Sequence, residues 1–226
     1  PSELMRVSDF ASTSRGFWVG TFNEGLFLFD LKENPFKWHS TKTKEVLGLN
    51  SDHILGMAAL DSNRVYMTFQ PKGLVLFNTS TNAFEPITQI PKKWQPKTYN
   101  IFVDSHKDTW IHFGGDNGAF RIREGQTKLE KIGGEKESTF FQNLGFNFID
   151  EDKDNNVWIG KFDNVCRVRL DEKRNIGKIE FLKNHPFFTS QNLSRVRCVY
   201  ADPLFDFIWV GTTTEGLFRI DIQGNK

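Results

Sequence analysis

The sequence predicts an all-β fold, a β-propeller of about five four-stranded antiparallel blades, and three observations predict it. An aromatic residue recurs in a common phrase at positions 18, 66, 110, 158 and 209, a period of roughly 44 to 51 residues. The last four anchors each follow a hydrophobic run ending in an acidic residue, Asp61, Asp104, Asp152 or Asp202, and most anchors are followed by a Gly that opens another run. Helical signals are nearly absent: no segment of a dozen residues keeps an i, i+3, i+4, i+7 apolar stripe between caps.

The elements follow in order. In the first unit, residues 1–48, Phe17-Trp18-Val19-Gly20-Thr21 is the anchor strand, Gly25 opens Leu26-Phe27-Leu28-Phe29-Asp30, and Phe36-Lys37-Trp38 is a looser outer strand. The second, 49–94, has an inner strand near 52–60, Asp61, then Val65-Tyr66-Met67-Thr68, Gly73-Leu74-Val75-Leu76-Phe77-Asn78 and Ala83-Phe84-Glu85. The third, 95–138, runs from an inner strand near 97–104 through Thr109-Trp110-Ile111-His112 to Gly118. The fourth, 139–190, has an inner strand near 143–150, Val157-Trp158-Ile159-Gly160, and Val165 in the place of Gly. The fifth, 191–226, has an inner strand near 194–201, Ile208-Trp209-Val210-Gly211-Thr212 and Gly216-Leu217-Phe218-Arg219-Ile220-Asp221, with no fourth strand. That missing strand predicts a piece of a larger propeller of about seven blades, with a closed five-bladed ring as the alternative.

The recurring residues have structural reasons. Asp bonds backbone two residues on and closes a tight turn, and Gly supplies the positive φ the next hairpin needs. The aromatic is a packing device. Leu26 to Phe29 are apolar at successive positions, as expected of a sheet covered on both faces, and radially stacked blades are covered in that way.

Asp, a short turn, Trp-Val-Gly-Thr, then Glu-Gly-Leu-Phe and a strand-ending Asp resembles the two-component regulator propeller repeat, over nearly the whole chain and best in the first and fifth units. Tyr66 stands for Trp, Lys107 and Asn155 for the Gly of the turn, and Lys161 for Thr. The resemblance implies a periplasmic or extracytoplasmic ligand-sensing module of a bacterial hybrid histidine kinase or diguanylate-cyclase receptor. Such modules often sense glycan fragments, and the membrane span and catalytic transmitter lie elsewhere in the parent receptor. The implied partners are a small carbohydrate ligand and a homodimer formed through the parent. The alternative is a propeller serving as a protein-interaction or dimerisation surface.

Bulk composition narrows the classes. Lys and Arg total 29 against 28 Asp and Glu, a net charge of +1, so no global field attracts nucleic acid or an anionic membrane. No apolar run is long enough for a membrane helix, and the first residues lack the pattern of a secretory signal. Cys166 and Cys198 have no CxxC partner or nearby His, and both are expected to be buried thiols. The sequons at Asn78 and Asn192 carry no weight outside a eukaryotic secretory route.

No catalytic or cofactor site is expected. Asp150 to Asn155 has alternating oxygen ligands but lacks the Gly and Glu of a calcium loop, so it is expected to be a turn. The Gly114-Gly115 and Gly133-Gly134 segments do not fit a phosphate loop, and the five His are scattered. No GxSxG elbow is present. Ligand-binding candidates are Trp94 with Lys92 and Lys93, a proline-flanked loop in which a Trp could stack on a sugar ring beside two ammonium groups. Arg195 and Arg197, alternating on the inner strand of the fifth unit, are the other candidates, with channel lining or inter-blade ion pairing as the plainer role.

Overall fold

The computed structural model describes residues 6–30, 37–40, 51–69, 73–85, 87, 90, 98–113, 118–134, 138–141, 148–161, 164–184, 196–202 and 204–222. The chain divides into two compact units, Pro1–Lys131 and Ile132–Lys226. Both are built from antiparallel meanders.

The first unit holds three four-stranded sheets. Blade 1 is β1 (Val7–Thr13), β2 (Gly16–Thr21), β3 (Leu26–Phe29) and β4 (Lys37–His39). Blade 2 is β5 (Ile54–Ala59), β6 (Arg64–Phe69), β7 (Gly73–Asn78) and β8 (Ala83–Glu85). Blade 3 is β9 (Thr98–Val103), β10 (Thr109–Phe113), β11 (Gly118–Ile122) and β12 (Leu129–Lys131). The inner strands β1, β5 and β9 lie side by side, and each sheet packs face to face on the next, the stacking of propeller blades.

The second unit holds blade 4 and blade 5. Blade 4 is β13 (Phe148–Glu151), β14 (Val157–Lys161), β15 (Asn164–Leu170) and β16 (Ile176–Phe181), and blade 5 is β17 (Val196–Ala201), β18 (Phe207–Thr212) and β19 (Leu217–Asp221). β13 and β14 pack on β17. The inner strands expected near 52–60, 97–104 and 194–201, the outer strands at Trp38 and Phe84, and a fifth blade of three strands among the described residues are observed, while most of the inner strand expected near 143–150 lies outside the described residues. Described helix is limited to short turns such as Ser138–Phe141.

Aliphatic and aromatic side chains between blades form the cores. In the first unit Trp18, Leu26 and Leu28 of blade 1 bury against Ile54, Met57 and Val65 of blade 2. In the second, Trp158 and Val165 of blade 4 bury against Val196, Val199 and Ile208 of blade 5. Gly20 and Gly160, the Gly of the anchor phrase, permit this approach. A Cβ on Gly20 would lie 2.8 Å from Ile54 Cγ2, and one on Gly160 would lie 2.7 Å from Val199 Cγ2. The sheets come together only because the notch is empty.

The inner strands are also joined through carboxylates. Asp9 on β1 accepts the Met57 N–H of β5 at 2.7 Å, and Asp150 on β13 accepts the Ala201 N–H of β17 at 2.8 Å. An inner-strand edge has no further strand to pair with, so the next blade's N–H is satisfied by a side chain. Burial, only partly offset by these N–H donors, raises the pKa of both carboxyls above the ordinary 3.8.

The turn residues behave as the pattern requires. Gly25, Gly73, Gly118 and Gly216 share a φ between 82° and 85°. Lys107 and Asn155, where the resembling repeat has Gly, hold φ of 64° and 60°. The turn geometry is kept without its usual residue. One expectation is corrected: Cys166 is buried, but Cys198 is exposed, because it lies on the face of blade 5 that points away from blade 4.

Candidate functional site

The turns joining inner strand to second strand are organised by aspartates. In blade 3 Asp104 Oδ1 accepts the His106 and Asp108 N–H groups, while Oδ2 accepts the Trp110 indole N–H at 2.9 Å. In blade 4 Asp152 does the same for Asp154, Asn156 and, at 2.8 Å, the Trp158 indole. Asp150 and Asp152 thus direct their oxygens at protein donors, and the acidic segment 150–155 is the repeat's turn, as expected. Arg121 and Arg167 lie over the Trp110 and Trp158 rings of their own blades, each 5.3 Å from the centroid.

Blade 2 departs from this arrangement. Asp61 Oδ1 accepts the Asn63 and Arg64 N–H groups, but Tyr66 has no indole to offer to Oδ2. That oxygen instead takes Arg64 Nε and Nη2, both at 2.7 Å. Burial raises the Asp61 carboxyl, but the hydrogen bonds from Asn63 and Arg64 and the charge of Arg64 outweigh it and hold the pKa below the ordinary value. The Tyr66 hydroxyl is hydrogen-bonded to the Thr109 side chain of blade 3, and burial raises its pKa.

A cleft of about 480 Å³ opens here between blades 2 and 3. Leu60, Leu76 and Ile87 give it an apolar lining with the Tyr66 ring. Arg64, Lys107 and Arg123 and the carboxylates Asp61, Glu85 and Glu124 are its charged groups, with Gln126 and Thr127 beside them. The three cations are paired, Arg64 with Asp61, Lys107 with Glu124 at 3.9 Å and Arg123 with Glu130 at 3.5 Å, and Glu85 accepts from the Asn78 side-chain amide at 2.7 Å. An aromatic ring, an apolar wall and three cations set against three carboxylates give the cleft the means to hold a small polar ligand.

Lys92, Lys93, Trp94 and Arg195 lie outside the described residues. Arg197 is exposed on β17, and its Nε donates to Thr213 Oγ1 at 2.9 Å, at the end of blade 5 where β18 turns into β19. The cleft residues sit at the opposite end of their own blades, where inner strand turns into second strand. Its signal was available as departures from the repeat: Tyr66 for Trp and Lys107 for Gly are both cleft residues. Arg123, Glu124 and Gln126 belong to no repeated phrase and gave none.

No family model matches the chain, and no curated protein matches it either. Solved structures do. The extracellular domain of BT4673, a proposed hybrid two component system from B. thetaiotaomicron, is 24% identical over 96% of this chain, with a TM-score of 0.70. The extracellular domain of BT3049 from the same organism, also a proposed hybrid two component system, is 18% identical over 96%, with a TM-score of 0.65. The chain spans 26% and 27% of those two, about a quarter of their length. Virginiamycin B lyase from Staphylococcus aureus is 13% identical over 99% of this chain, covers 72% of its own length and has a TM-score of 0.58. At these identities the likeness is one of fold, and the fold hosts an enzyme as well as extracellular domains of signalling systems.

Proposed function

We propose that this chain is a ligand-sensing propeller module, the extracytoplasmic input part of a bacterial two-component-type receptor, and that it binds a small carbohydrate in the cleft beside Tyr66. The cleft carries the proposal. It opens where the repeat is broken, and it combines a ring face with balanced hydrogen-bonding groups, the chemistry that a sugar's apolar and hydroxylated faces require. The extracellular signalling domains to which the chain is similar support the receptor context. The cleft's charged groups are engaged in ion pairs or side-chain hydrogen bonds, and among the described cleft residues no nucleophile stands beside a free base, so binding without turnover is the reading that fits.

Thermal melting of the chain against millimolar neutral oligosaccharides tests this, because a ligand that binds only the folded state raises the melting temperature by mass action. A glycan that shifts wild type and leaves Tyr66→Ala unshifted is the expected result. If Trp94→Ala removes the shift and Tyr66→Ala retains it, the site is instead the loop with Lys92 and Lys93. If no glycan shifts wild type, the carbohydrate reading fails.

A further inference from the structure

Residues directly opposite one another in neighbouring antiparallel strands share a face of the sheet, so the rows of one blade can be compared with those of the next. From second strand to outer strand, the row through the anchor aromatic reads Trp110, Arg121 and Glu130 in blade 3 and Trp158, Arg167 and Glu180 in blade 4. In both blades the guanidinium lies over the indole, 5.3 Å from the ring centroid. In both, too, the outer carboxylate is paired with an Arg of the third strand. Glu130 Oε2 accepts Arg121 Nη2 at 2.6 Å and Nε at 3.0 Å, and Glu180 Oε2 accepts Arg169 Nε at 2.7 Å. Blade 3 therefore holds a cation between a ring and a carboxylate.

Blade 2 keeps the two ends of this row and lacks its middle. Tyr66 lies opposite Leu76, and Leu76 opposite Glu85. The third strand, Gly-Leu-Val-Leu-Phe-Asn, has no cation to offer. Glu85 Oε1 accepts the Asn78 side-chain amide, but among the described residues Glu85 is in no ion pair, unlike every other charged group of the cleft. Arg64 does not stand in for the missing guanidinium, because its Nε and Nη2 both go to Asp61 Oδ2. Tyr66, Leu76 and Glu85 all line the cleft of about 480 Å³. The place that Arg121 fills in blade 3 is thus part of the cleft in blade 2. A carboxylate beside a ring face favours a cation there, through charge-assisted hydrogen bonds and through the ring itself.

Resting on the reading of this cleft as the carbohydrate site, we propose that the sugar it takes is an amino sugar, whose ammonium group lies over the Tyr66 ring and donates to Glu85. Blade 3 is the template, with ring, cation and outer carboxylate in the same register. A neutral sugar uses the same cleft with stacking and hydroxyl contacts alone, and so binds more weakly.

Isothermal titration calorimetry of the purified chain tests the proposal. The probes are glucosamine oligosaccharides and their N-acetylated counterparts of equal length, at about pH 6, below the range in which aliphatic amines lose their proton. Wild type should bind the free-amine sugar about tenfold more tightly, the gain of one charge-assisted hydrogen bond over a neutral one. Glu85→Gln should level the two affinities while keeping the binding of the N-acetylated sugar, whereas a merely structural role for Glu85 would weaken both alike. Leu76→Arg restores the guanidinium and should bind neither sugar; if its circular dichroism departs from wild type, Glu85→Gln carries the test alone. Equal affinities in wild type, or a preference that survives Glu85→Gln, overturn the proposal. If the N-acetylated sugar binds wild type as tightly as the amine and loses binding in Tyr66→Ala, the cleft reading stands and only the amino-sugar assignment falls. If neither sugar binds wild type, both fall.

Discussion

Aspartate does opposite work in two regions of this molecule. At the turn end of the blades each aspartate closes its own hairpin, with several donors converging on one carboxylate. Asp202 shows the electrostatic result: the Leu204 N–H first, with the Trp209 indole and the Phe205 N–H, lowers its pKa against a weaker effect of burial. On the inner strands Asp9 and Asp150 each receive two N–H groups, one of them from the next blade, and burial dominates, so their pKa values rise. Donor count against burial decides the sign. The turn aspartates build blades, and the inner ones join them.

The largest effect is expected where the turn aspartate carries the most. Asp152 accepts the part-buried Asp154 N–H and, in a buried setting, the Asn156 N–H, the Trp158 indole and, at 3.1 Å, Arg167 Nη2. Asp152→Ala leaves these donors unsatisfied and the Arg167 charge without its nearest partner, at a cost of about 3–5 kcal/mol. Asp61 has the same turn but a partly exposed Arg64 in place of the indole, so Asp61→Ala should cost only about 1 kcal/mol. Urea unfolding of both variants measures the contrast, and equal costs would show that the indole bond adds nothing to the turn.

Restoring the missing indole sharpens the comparison from the other side. Tyr66→Trp gives Asp61 Oδ2 the donor it has in blades 3 and 4, and the larger ring fills part of the cleft. Stability should rise by no more than about 1 kcal/mol, since Arg64 already occupies that oxygen. Any glycan-induced rise in melting temperature should disappear. A variant that keeps the ligand response places the binding site outside the cleft.

What was legible in the sequence follows the period. Trp and Asp recur, so the strands, the turns and the covered faces could be placed from spacing alone, and Lys107 and Asn155 could be placed at the Gly position because their neighbours were. The Asp–Trp hydrogen bond was not legible, because a turn residue and a packing residue six positions apart give no sign of pointing at each other. Nor were Asp9 and Asp150. They occupy different register positions on their strands, opposite Gly20 and Trp158, and so leave no periodic trace. Cys198 was expected inside because free cysteines usually are, yet exposure on a blade depends on the neighbour, and a neighbour is not written into a single strand. The cleft was visible only as two departures from the repeat.

The smallest expected effect concerns the inner aspartates and is a slope, not a loss. A carboxyl whose pKa is raised on folding binds its proton more tightly in the native state. Its contribution is therefore fully present below the unfolded value of 3.8 and is lost as pH rises through the higher folded value. The turn aspartates with lowered pKa, Asp61 and Asp202, run the other way, losing their contribution as pH falls. Asp9→Asn keeps one acceptor for the Met57 N–H but gives up the second oxygen that holds the Phe10 N–H at 2.8 Å. Relief from burying a charge and loss of one hydrogen bond act in opposite directions, so the net change at neutral pH should stay within about 1 kcal/mol. The difference in stability between variant and wild type should nevertheless move in the variant's favour as pH is raised from below 3.8 towards neutrality. Denaturant titrations of the pair across that range isolate the term, because every other titrating group is common to both proteins. A difference that does not change with pH would mean that Asp9 is as well served by its two donors as it is by water, and that the seam between blades 1 and 2 has no stake in its charge.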